Sequence, residues 1–80
     1  METEILGKYQ VHLNAIEVSA PAGWDGYVTA SEFSDAAQDF VPVLDRFPVP
    51  GGPFADYASA IDAGRKLAKT LLENGTLRRN

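Results

Sequence analysis

The chain contains no cysteine and only one histidine, one methionine and one tryptophan. Without cysteine there is no disulfide scaffold and no thiolate zinc site, and the composition suits a reducing compartment. No apolar run approaches the length of a membrane span, and residues 1 to 20 lack the apolar core of a signal peptide. The expectation is a soluble, cytoplasmic protein with no membrane attachment. Basic residues are scarce in most of the chain. Residues 1 to 59 carry nine acids and two bases, net -7, and residues 60 to 80 are net +3, for a total of -4. A basic end on an acidic body is the main electrostatic feature. Eighty residues with 45% apolar content are enough for one folded domain over residues 1 to 80 with a single two-layer core.

The clearest local signal is near the C-terminus. Ile61, Gly64, Leu67, Ala68, Leu71 and Leu72 recur at spacings of three and four, a core-facing helical stripe. The pattern predicts a helix from Ser59 to Gly75, with Ser59 as N-cap, Asp62 completing a capping box and Gly75 ending the helix in a left-handed conformation. Gly64 lies inside the stripe, so a close approach to the sheet is expected there. A helix this short is marginal alone in water and needs a partner surface.

Upstream, residues 1 to 7 read as a loose start. Tyr9 to Val18 reads as a strand: Tyr9, Val11, Leu13 and Ala15 alternate with polar residues, and then Ile16 and Val18 break the parity. A bulge near Ala15 explains that break, and so does an apolar patch on the outer sheet face. Residues 20 to 26 read as a turn region, Tyr27 to Phe33 as a second strand and Asp39 to Phe47 as a third. Pro42 makes the third strand an edge or a bulged strand. Residues 55 to 57 offer a short fourth strand, and 76 to 80 a frayed tail. The fold class is α+β: a small antiparallel three- or four-stranded sheet with one C-terminal helix on one face, in the order β-β-β-(β)-α.

The run Gly23-Trp24-Asp25-Gly26-Tyr27, the strand leading into Phe47-Pro48, and Ser59-Ala60-Ile61-Asp62-Ala63-Gly64 opening a Leu- and Ala-rich helix resemble a family of very small uncharacterised bacterial proteins. These are β-meander-plus-helix domains, and the resemblance covers most of the chain. The pattern is also distantly similar to HicB-type antitoxin domains. The first resemblance implies a fold and no assigned activity; the second implies a nucleic-acid-linked regulator.

Catalytic chemistry is not written into the residues. His12 has neither a nucleophile nor an orienting acid in a motif around it. Asp25, Glu32, Asp35, Asp39 and Asp45 do not follow calcium-loop spacing. Gly51-Gly52 is flanked by prolines and followed by no Gly-Lys-Ser/Thr, so it is not a phosphate loop. The expectation is a protein that is not an enzyme, with no catalytic, cofactor-binding or metal-binding residues and no cofactor.

The remaining features point to surfaces. Arg65, Lys66, Lys69, Arg78 and Arg79 are the best case for a nucleic-acid contact, although Asp62–Lys66 and Lys69–Glu73 are spaced to neutralise each other on a helix. Seven aromatic residues between Trp24 and Tyr57 are many for one core, so some belong on the uncovered face. Trp24, Ile16, Val18, Arg65, Lys69, Arg78 and Arg79 are the candidate interaction residues. The expected function is a non-enzymatic protein-interaction or binding module, with a protein partner or weak homodimer ahead of nucleic acid. The alternative is a regulator of the HicB antitoxin kind.

Overall fold

The computed structural model describes residues 2–75. They form β1 (Glu2–Leu6), β2 (Tyr9–Ser19), β3 (Ala22–Ser34), β4 (Asp39–Pro48) and α1 (Tyr57–Glu73). The strands make one antiparallel meander in the order β1-β2-β3-β4, and α1 lies across β2 and β3. The α+β architecture expected from the sequence is therefore present, with its fourth strand at the other end of the chain.

The β2–β3 register is continuous from Tyr9↔Glu32 to Ser19↔Ala22. Side chains alternate between faces, so Tyr9, Val11 and Leu13 share the helix-covered face with Val28 and Ala30. Val11, Leu13 and Val28 are the largest fully buried side chains. Burying each fully stabilises the fold by roughly 1.5–3 kcal/mol. The helix contributes Ala60, Ile61, Gly64, Ala68 and Leu71 to the same layer, with Leu67 and Leu72 packed at its margin. This is the stripe that the three- and four-residue spacing predicted.

The unbroken register also decides between the two readings of Ile16 and Val18. There is no bulge at Ala15; both residues lie on the uncovered face, with Ile16 opposite Asp25 and Val18 opposite Gly23. The irregularity lies instead in the β3–β4 pair, where the register shifts between Val28 and Ala30 and again between Ala30 and Ser31. Arg46 absorbs one shift with φ 44, and its N–H donates to Thr29 Oγ1 at 3.2 Å. Pro42 sits in this bulged edge strand, as its missing donor requires.

Four local expectations are corrected. Residues 2 to 6 are not loose: they pair with β2 from Glu2↔Leu13 to Leu6↔Tyr9 through the two-residue Gly7-Lys8 turn, with Gly7 at φ 62. Residues 22 to 26 belong to β3 rather than to a turn, which is confined to Ala20-Pro21. Residues 55 to 57 are not a strand; just before them Phe54 makes an isolated bridge to Trp24, and Tyr57 opens the helix. The N-cap is Asp56, whose carboxylate accepts the Ser59 N–H at 2.7 Å, so the helix begins earlier than a Ser59 cap implies. At the other end Gly75 does adopt φ 80, and its N–H donates to Leu72 O. The expected frayed tail at 76–80 lies outside the described residues.

Candidate functional site

The strand alternation that fills the core also determines what the other face presents. Counting outward from the buried residues, the uncovered face carries Thr3 and Ile5 from β1, then Gln10, His12, Asn14, Ile16 and Val18 from β2. From β3 it carries Asp25, Tyr27, Thr29, Ser31 and Phe33, and Phe40 and Pro42 from β4. Among the large hydrophobic side chains left most exposed are Ile5 (64%), Phe33 (42%), Ile16 (41%) and Phe40 (40%), all on this face. They fall at its ends. Phe33 and Phe40 pack edge to face across β3 and β4, with centroids 5.6 Å apart, while Ile16 and Val18 lie toward the Ala20-Pro21 tip.

Between these apolar ends runs a polar band. Thr3 Oγ1 and His12 Nδ1 are 3.0 Å apart, and the Arg46 guanidinium lies 5.2 Å from the Tyr27 ring centroid. His12 therefore has a hydroxyl neighbour on the adjacent strand and, among the described residues, no hydrogen-bonded acid to orient it. Among the described residues no group of three or more His, Asp or Glu side chains is placed to hold a metal ion.

The other candidate residues do not converge on this face. Trp24 is on the helix side, half-buried, with its ring edge-on to Tyr57 at 5.7 Å and its backbone doubly bonded to Phe54. Its backbone closes the Pro-Gly-rich loop onto the sheet, and its indole packs on the first residue of the helix. Arg65 points back to β1, where it forms an ion pair with Glu4 and a longer contact, 3.5 Å, with Asp62. The Glu4 hydrogen bond, aided by neighbouring negative charge, raises the pKa of this guanidinium. Lys66 pairs with Asp62 at 3.1 Å. Lys69 is exposed, and the expected Lys69–Glu73 pair is not formed among the described residues. Arg78 and Arg79 lie outside the described residues.

A shallow depression of about 580 Å³ separates the Gly7-Lys8 turn from the end of α1, with Leu6, Tyr9, Glu32, Leu72 and Glu73 on its walls. Lys8 closes onto Glu32 at 3.3 Å, so the turn's cation is already engaged. No helix among the described residues is long and apolar enough to cross a membrane.

Sequence reasoning found Ile16 and Val18 through the break in parity, and placed neither Ile5, Phe33 nor Phe40 among its candidates. Their shared face was readable only once the register with Tyr9 and Val11 was known. Comparison with known protein families, with curated proteins and with solved structures yields no match. Function is therefore read from the surface chemistry of the chain itself.

Proposed function

We propose that this chain is a non-enzymatic protein-interaction module whose contact surface is the uncovered sheet face. The observation that supports it is the gathering of Ile5, Ile16, Phe33 and Phe40 on one face. Exposed apolar side chains sharing one face mark a contact surface, where they exclude water while polar neighbours fix orientation. Among the described residues no nucleophile or base is oriented for catalysis. A nucleic-acid role is disfavoured by the acidic body and by the pairing of Arg65 and Lys66 with carboxylates.

Photo-crosslinking in living cells tests the reading. A benzophenone amino acid replacing Phe33 should give discrete protein adducts, whereas the same group replacing Lys66 on the outer helix surface should not. Equal adduct patterns from both positions, or none from Phe33, would overturn the proposal. For nucleic acid, no binding to generic duplex DNA tighter than about 10 μM is expected at physiological salt, since even basic domains bind non-specifically at about 10⁻⁴–10⁻⁶ M. A salt-dependent submicromolar gel shift would instead favour the regulator.

A further inference from the structure

Strand β1 is shorter than the strand it covers. It pairs with β2 only from Leu13 back to Tyr9, so among the described residues Asn14 to Ser19 has β3 on one side and no strand on the other. The direction of the backbone groups follows from their neighbours. Trp24 uses both its N–H and its C=O on Phe54, and the Gly26 C=O accepts the Val49 N–H. Directly opposed residues in an antiparallel pair either exchange hydrogen bonds or turn those groups away from each other. Glu17, opposite Trp24, and Ala15, opposite Gly26, therefore turn their N–H and C=O groups toward the free edge. Ala15 confirms this: its N–H is taken by the neighbouring Asn14 side chain at 2.9 Å rather than by a strand. No proline or lysine blunts the stretch from Asn14 to Ser19.

We propose that this edge is a homodimerisation site, at which the β2 tips of two copies pair antiparallel about a two-fold axis through Glu17. The shape selects the occupant. The free edge is bounded by β1 at Leu13 and by the Ala20-Pro21 turn. The projecting β2 tip of a second copy has the length of that notch, and the same operation fills both notches at once, as an isologous contact requires. Centring on Glu17 places Ile16 opposite Val18 of the second copy and Val18 opposite its Ile16. Four apolar side chains then meet on the uncovered face. A register centred on Ile16 would instead drive the second tip into β1. The two Glu17 carboxylates oppose each other across the axis, and like charges so placed weaken a sheet pair. The dimer is accordingly a weak one at neutral pH.

This proposal names a second copy as one partner of the interaction module, but it uses the edge rather than the Phe33 end of the face, so the two ideas fail separately. The absence of cysteine provides a clean probe. Residues paired across the axis should have Cα atoms about 5.5 Å apart, within disulfide reach. Glu17→Cys should therefore form covalent dimers under mild oxidation about tenfold faster than Lys66→Cys, whose thiol would meet another only by collision. Sedimentation should show Glu17→Gln associating several-fold more tightly than wild type, and Phe33→Lys associating like wild type. Equal cross-linking of the two cysteine variants would overturn edge pairing. So would a wild type and a Glu17→Gln variant that both stay monomeric to millimolar concentration. Dissociation by Phe33→Lys without Glu17→Cys cross-linking would overturn it too, while leaving the sheet-face reading standing.

Discussion

Within the β2–β3 hairpin, the half beneath α1 and the half beyond it follow the same side-chain alternation but differ in what lies across from it. From Tyr9 to Leu13 the inward residues are buried against the helix; at Glu17 and Ser19 the same parity faces solvent. Length is the cause. A helix of 17 residues spans about 25 Å at 1.5 Å per residue, whereas the 13 residues of β3 extend about 43 Å at 3.3 Å each. The molecule measures 44 Å along its longest axis. Stability is thus concentrated under the helix, and the projecting tip is left with free backbone groups and apolar side chains that the core does not use.

The largest effect expected from this contrast comes from one charge placed in each region. Leu71→Asp puts an unpaired carboxylate into the helix–sheet layer, and an 80-residue domain has only about 5–10 kcal/mol to lose. It should abolish the cooperative thermal transition, with Leu67→Asp, at the margin of the layer, close behind. Ile16→Asp, on the uncovered face, should cost no more than about 1 kcal/mol, most of it from the like charge of Asp25 directly opposite. If Leu71→Asp melts near wild type, the helix is not docked by this face; if Ile16→Asp unfolds the protein, the tip is not the spare region described above.

Why some of this was legible and some was not follows from the period of each signal. The helical stripe announces itself because Ile61, Gly64, Ala68 and Leu71 repeat over several turns. Strand β1 did not, because its inward residues are Glu2, Glu4 and Leu6. Glu4, half-buried beside the helix, is paired with Arg65, a partner 61 residues away. Ser59 was the expected cap because it stands just ahead of the apolar stripe; the packing of Tyr57 against Trp24 accompanies a helix that begins three residues earlier, capped by Asp56. Trp24 read as a turn residue because Gly23 and Gly26 flank it. Those glycines instead let the loop and the helix approach β3 closely. The free edge at Glu17 was invisible without β1, since only the length of β1 leaves it unpaired.

Two glycines sharpen the comparison at intermediate scale. A methyl group on Gly23 would lie 2.6 Å from Pro53 Cβ and 2.8 Å from Phe54 O, on a backbone at φ 154. Gly23→Ala should cost at least about 1–3 kcal/mol, the usual penalty of overpacking, and should loosen the Phe54 loop. Gly64 differs. A methyl there would lie 3.4 Å from Leu13 Cδ2, 3.5 Å from Val28 Cγ2 and 3.6 Å from Val49 Cγ2, all ordinary contact distances. The helix comes close, as the sequence suggested, but it leaves room for one carbon. Gly64→Ala should therefore gain about 1 kcal/mol of helix propensity and raise the melting temperature by about 4–8 °C. A fall in melting temperature would mean that the layer is already full at that point.

The smallest expected effect belongs to the cap where the covered region begins. The Ser59 backbone N–H, supplemented by the Ser59 side chain, hydrogen-bonds the Asp56 carboxylate and lowers its pKa from the ordinary value of 3.8. Because the folded-state pKa is the lower one, Asp56 contributes its stabilisation at pH values above the unfolded pKa and loses it as pH falls through the folded value. Asp56→Ala should lower the melting temperature at neutral pH, where the cap is fully ionised. Asp56→Asn retains an oxygen acceptor of comparable capping strength but cannot titrate. Its deficit relative to wild type should be small at neutral pH and should shrink or reverse as the pH drops below about 3.9. Every other carboxylate is common to both proteins, so the difference between the two melting curves isolates Asp56. A difference that stays constant from neutral pH down to acid would show that the carboxylate's charge contributes nothing to the cap.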